Sequence, residues 1–192
     1  MITSVTINVQ SLNNEERRIK AQECASAIHQ VINSTMFRDK VMKMDFYGET
    51  SKFKNITNLR LYQMLMAGVE ETNPDKDNDW DIWIDDYFTR RGVIGYMIPN
   101  KKWMYVNTKF YDCRSNKKVG SNIVHEYTHT LGFRHDRRRT KRRPHSVSYL
   151  MNRIFEECYD HIIGSQASLV KIKLPKRRFW HRTRYEWRRE YV

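Results

Sequence analysis

Residues 125–136 read His-Glu-Tyr-Thr-His-Thr-Leu-Gly-Phe-Arg-His-Asp. His125 and His129 lie four apart, so on a helix their rings leave the same face one turn above each other. Two imidazole nitrogens so placed can reach one zinc ion at about 2.0–2.1 Å. Gly132 follows, and glycine can take the left-handed conformation that ends a helix. The chain can then turn back and offer His135 as a third ligand. Three protein ligands leave one coordination position open, the arrangement of a catalytic rather than a structural zinc site. Glu126 stands beside the first ligand, where its carboxylate can face a zinc-bound water without binding the metal. Zinc lowers the pKa of such a water to about 7, and a nearby carboxylate can take the proton. The chemistry expected is attack of the activated water on a carbonyl polarised by the metal. HExxH alone is moderately specific; all five positions would coincide by chance with a probability on the order of 1 in 100,000.

The elements that must position these residues follow from periodicity. Residues 4–9 alternate apolar and polar, with Val5, Ile7 and Val9 on one side of a strand. Asn13 and Glu16 have the spacing of a capping box, followed by a helix to about residue 33 with Ile19, Ala25, Ile28 and Ile32 on its apolar face. Residues 37–47 read as a second strand, 57–70 as a helix carrying Leu61, Leu65 and Val69, and 80–88 as a third strand. The carboxylates Asp75, Asp77, Asp79 and Asp81 form an acidic flank that lacks the glycine and terminal Glu of a calcium-binding EF-hand, so a solvated loop is expected. Residues 92–98 and 103–108 read as strands joined by a turn at 99–102. The motif helix is expected over 120–131, and a last helix over 149–163, with Gly164 as its end and Leu150, Ile154, Cys158 and Ile162 on one face.

At these residues the chain resembles the metzincins, zinc metallopeptidases with the signature HExxHxxGxxH and a later methionine turn. His125, Glu126, His129, Gly132 and His135 match the signature. Met151, in Ser148-Tyr-Leu-Met-Asn, is the candidate for the methionine turn beneath the metal. The resemblance covers about residues 4–164. It implies an α+β, zincin-like twisted mixed sheet with an active-site helix and a C-terminal helix. It also implies a zinc metalloendopeptidase that binds Zn2+ through His125, His129 and His135 and uses Glu126 as general base on a peptide or protein substrate. That substrate would lie against 92–98, an antiparallel edge strand, by strand addition. Some members carry a tyrosine two residues after the turn methionine; here that position is Arg153, and Tyr149 lies two residues before. No cysteine-switch motif is found, and no propeptide is expected ahead of the first strand.

Composition bounds the rest. With 192 residues, 40% hydrophobic and 12% aromatic, one globular domain is expected over 1–170, followed by a basic, aromatic-rich tail at 171–192. The net charge of +13 is concentrated in two segments. Residues 134–143 hold seven Lys/Arg against one Asp, and 171–192 hold nine against two Glu, while the remainder carries 19 of each sign. Such segments attract polyanions or acidic protein surfaces. This gives a second reading, a structural or assembly component with a metzincin-like fold and basic docking segments. A third, a nucleic-acid-binding module, rests on charge alone, without a recognised motif. There is no apolar run of membrane-spanning length and no secretion signal. The location expected is the cytoplasm or a large assembly, a virus particle among the settings. Cys24, Cys113 and Cys158 have no metal or disulfide spacing, and Cys24 and Cys158 read as buried free thiols. His29, His145, His161 and His181 lack metal-site company.

Overall fold

The first strand, β1 (Ser4–Asn8), packs Val5 and Ile7 against the core, as its alternation predicts. The computed structural model describes residues 2–12, 14–46, 53, 55–71, 76–98, 103–136 and 138–169. The tail expected at 171–192 and the turn at 99–102 lie outside them. Helix α1 (Glu15–Ile32) is capped by Asn14, whose side chain accepts from the Arg17 N–H at 3.1 Å. The cap thus falls one residue after the predicted Asn13, which lies outside the described residues. Ile28 and Ile32 are fully buried as expected, Ala25 is half-buried and Ile19 is 48% exposed, while Ala21, Cys24, Ala27 and Val31 complete the buried face.

The strand expected over 37–47 is instead mainly helix, α2 (Thr35–Met42). The Ser34 hydroxyl accepts from the Phe37 N–H at 3.1 Å, and Phe37 and Val41, four apart, are fully buried. A cap and an i,i+4 apolar pair outweigh the alternation that Met44 and Phe46 continue. Helix α3 (Asn58–Ala67), capped by Thr57, buries Leu61 and Leu65 and ends at Gly68, short of the predicted residue 70.

Three further strands, β2 (Asp79–Tyr87), β3 (Gly95–Met97) and β4 (Trp103–Asn107), complete a mixed sheet in the order β1-β2-β4-β3. β1, β2 and β4 run parallel, and β3 pairs antiparallel with β4 at the edge. A short helix, α4 (Thr108–Tyr111), leads to the motif helix α5 (Asn116–Thr130), which starts four residues before the predicted 120. The last helix, α6 (Val147–Leu169), continues past Gly164, the predicted stop. Gly164 is exposed with nothing near it, so no turn is forced there, and glycine within an exposed helix costs only about 1 kcal/mol.

The chain is thus α+β, with one core between sheet and helices. Trp80, Ile82 and Ile84 of β2 and Met104 and Val106 of β4 are buried in it. Trp80 stacks on Tyr127 of α5 with centroids 3.8 Å apart and donates its indole N–H to the Leu65 carbonyl at 2.7 Å. This contact fixes the motif helix against the sheet. No described helix is long and apolar enough to cross a membrane. All three cysteines are free, and burial pushes the Cys24 thiol up to about 12 and Cys158 up to about 11.

Candidate metal centre

The end of α5 sets the geometry. Gly132 has φ +91°, the Gly132 N–H donates to the His129 carbonyl at 3.1 Å, and the Phe133 N–H to the Thr128 carbonyl at 3.2 Å. These two bonds make a Schellman end. A Cβ on Gly132 would lie 2.6 Å from Glu71 Oε1, the end of an exposed side chain that can move aside, so it is the conformation that requires glycine. The turn buries Phe133 against Phe53, ring centroids 4.4 Å apart, and aims the Phe133 carbonyl back at His129. His129 Nδ1 lies 2.6 Å from that oxygen, so it carries the hydrogen and leaves Nε2 free as a ligand. His135, past the turn, has Nδ1 on the Asp136 carbonyl at 3.1 Å and Nε2 facing His125 Nε2 at 3.2 Å.

One nitrogen from each of His125, His129 and His135 lies within 4.8 Å of the other two. Two nitrogens at about 2.0–2.1 Å from one zinc, at a tetrahedral angle, stand about 3.3–3.4 Å apart. The 3.2 Å between His125 and His135 is nearly such an edge. Second-sphere carbonyls orient His129 and His135, and His125 hydrogen-bonds the Ser148 backbone. Burial holds all three imidazoles below their usual pKa, His129 at about 4, so neutral rings with free lone pairs face one another at pH 7. A neutral-imidazole donor set of this shape fits zinc.

Glu126 is 5% exposed and accepts from Asn122 Nδ2 at 3.3 Å. Burial pushes its carboxyl up to about 7, against the lowering effect of Asn122. A carboxyl with that affinity can exchange protons near neutral pH. Asn122 lies against β3: a Cβ on Gly95 would lie 2.9 Å from Asn122 Oδ1 and 3.0 Å from the Tyr105 carbonyl, so the missing side chain leaves room for Asn122 there. Tyr87, at the end of β2, has a buried hydroxyl without a partner among the described residues, and its pKa is raised by burial, by Tyr96 and by Glu126.

The start of α6 closes the other side. Thr128 and Ser148 hydroxyls hydrogen-bond at 2.6 Å, tying α6 to α5. The next residue, Tyr149, sets its ring 4.7 Å from His125 and 5.0 Å from His135, and the Arg143 guanidinium lies 5.1 Å from the same ring. Met151 is fully buried but lies within α6, not in a turn before it. The three histidines are therefore brought together, Gly132 makes the turn between His129 and His135, Glu126 is buried next to His125 in the chain with its carboxylate on Asn122, and Met151 serves as core in a helix. The neighbours not expected from the sequence are Asn122, one turn before Glu126, and Tyr87. Of the other histidines, His29 bonds the Thr3 carbonyl at 3.0 Å, His145 and His161 are exposed, and His181 lies outside the described residues. No protein-family model, no curated protein and no solved structure matches the chain.

Proposed function

We propose that this chain is a zinc-dependent endopeptidase of the metzincin type, with a zincin-like fold. The observation that carries the reading is the neutral three-histidine cluster, with His125 buried and His129 and His135 half-buried, next to Glu126 in the spacing HExxHxxGxxH. A structural site has no need of an unligated buried carboxyl one residue from its first ligand. Zinc, when bound, supplies a Lewis acid that polarises a carbonyl and lowers the pKa of a coordinated water to about 7. His125, His129 and His135 hold the metal, and the Phe133 and Asp136 carbonyls fix the rings of His129 and His135. Glu126 takes a proton from the attacking water and returns it to the departing amine nitrogen, with Asn122 orienting its carboxylate. Among the described residues β3 pairs on one side only, so its outer edge can hydrogen-bond an extended peptide.

The test is metal content with hydrolysis of a peptide library. Purified protein should hold about one zinc per chain, and His129→Ala or His135→Ala should release it. Chelation should abolish cleavage and added zinc restore it. Unchanged zinc in both variants would sink the ligand assignment, and zinc-loaded protein that cleaves no library member would sink the peptidase.

A further inference from the structure

The segment joining the third histidine to α6 is the most cationic part of the described surface. Arg134, Arg138, Arg139, Lys141 and Arg142 are all exposed, and none forms an ion pair among the described residues. Elsewhere some cations at the surface have partners: exposed Lys118 with Glu156, and half-buried Lys117 with Asp160 and Lys40 with Glu157. The segment's one acidic residue, Asp136, instead accepts from the Thr140 hydroxyl. The segment is also fixed at both ends. At one end His135 belongs to the histidine cluster. At the other, a 3-10 turn (Arg143–His145) leads into α6, and Arg143 lies over the Tyr149 ring that touches His125 and His135. Unneutralised charge is therefore tethered to the rim of the centre, where it raises the local concentration of anionic ligands.

We propose that this rim selects peptides carrying Asp or Glu side chains close to the bond to be cleaved. The inference rests on the peptidase reading for its chemistry, but the selection is a property of binding and can be measured without turnover. A solvated charge run would be expected to spread its cations away from the site or pair them internally. Here they start one residue before a ligand and remain unpaired. Peptide is favoured over nucleic acid because the patch adjoins a histidine centre suited to carbonyl chemistry and β3 offers a backbone edge beside it.

The experiment uses zinc-loaded Glu126→Gln protein, full length, with one peptide sequence made in Glu, Gln and Lys versions. The Glu peptide should bind about tenfold more tightly than the Gln peptide in about 0.05 M salt, the scale of two or three exposed ion pairs. The Lys peptide should bind more weakly still, and the differences should nearly vanish in about 0.5 M salt. Replacing Arg138, Arg139 and Arg142 together by Gln should remove most of the Glu preference while zinc content stays unchanged. Equal affinity for the three peptides overturns the inference. So does a single-stranded DNA oligonucleotide that outcompetes the Glu peptide, which would assign the rim to nucleic acid. Failure of the peptidase reading looks different. Tight, salt-sensitive Glu-peptide binding with no cleavage by the zinc-loaded wild type removes the enzyme and leaves an acidic-peptide docking rim.

Discussion

Two carboxyl groups are buried on different sides of α5, and they differ only in what surrounds them. Glu126 is 5% exposed and Glu70 is 2% exposed. Burial pushes each up to about 7. Glu70 Oε1 accepts from the Tyr127 hydroxyl at 2.6 Å and, weakly, from the Asp81 N–H at 3.4 Å, while its Oε2 has no partner among the described residues. It sits behind the motif helix, against the Trp80–Tyr127 stack. Glu126 has one amide partner, Asn122, and directly follows His125, a member of the three-histidine cluster. A raised pKa therefore does not identify a base; burial alone produces one. Under the proposed function, what distinguishes Glu126 is its place next to His125, where a metal-bound water would have a proton to give up.

The comparison breaks most sharply on hydrolysis. Glu126→Gln should keep zinc and melting behaviour but lose about a hundredfold or more in kcat, the scale of a missing general base. A variant within a few-fold of wild type would make the two carboxyls equivalent and remove the assigned role. Gly132→Ala should act next most strongly, and through geometry rather than protons. Its φ of +91° strains any side chain and pushes the turn to shift, while the Glu71 carboxylate can move aside. Stability should fall by about 1–3 kcal/mol, and zinc affinity by about tenfold as His135 and the Phe133 carbonyl move. Gly164→Ala, in an exposed helical position, should instead stabilise by up to about 1 kcal/mol. If both alanines behaved alike, the strained turn would have no part in building the centre.

The parts of this site that were legible in the sequence are those set by local geometry. His125, Glu126 and His129 share one helical stretch, and Gly132 turns it, so spacing alone was sufficient. Asn122 was equally readable, one turn before Glu126, and Tyr149 stands two residues before Met151; neither has a motif to announce it. The antiparallel edge position of β3 follows the expectation for 92–98. Where periodicities competed, the reading failed. Phe37 and Val41 belong to a helix while Met44 and Phe46 continue an alternation beyond it, and the Ser34 cap was the deciding signal. On α1, Ile19 was placed on the core face, but the small residues Ala21, Cys24 and Ala27 occupy it. Cys24 Sγ reaches the Asn116 carbonyl at 3.6 Å, a close approach to the start of α5 that no count of large apolar residues reveals. The burial of Glu70 beside Tyr127 and of the Tyr87 hydroxyl near Glu126 depends on long-range packing, which carries no local signature.

The smallest effect on hydrolysis is expected from Glu70→Gln, and its larger effect should appear in stability against pH. The substitution keeps an acceptor for the Tyr127 hydroxyl and touches neither the histidines nor Glu126, so kcat/KM should stay within about twofold of wild type. In the wild type the Glu70 carboxyl binds its proton more tightly when folded, at about 7, than at the ordinary value of 4.5. Between those values the folded state holds a proton that the unfolded chain has released. The stabilisation is thus complete below about 4.5 and is lost as pH rises through about 7. At about 1.4 kcal/mol per unit, Glu70 should lower stability between pH 4.5 and 8 by as much as about 3 kcal/mol. Glutamine cannot ionise, so that slope should vanish from the variant. Contributions from Glu126 and the histidines are common to both proteins and cancel in the difference. Chemical denaturation of metal-free protein at several pH values should therefore show the variant gaining on the wild type as pH rises. A difference independent of pH would mean that Glu70 is hydrated or paired in solution, and the contrast with Glu126 would then rest on position alone.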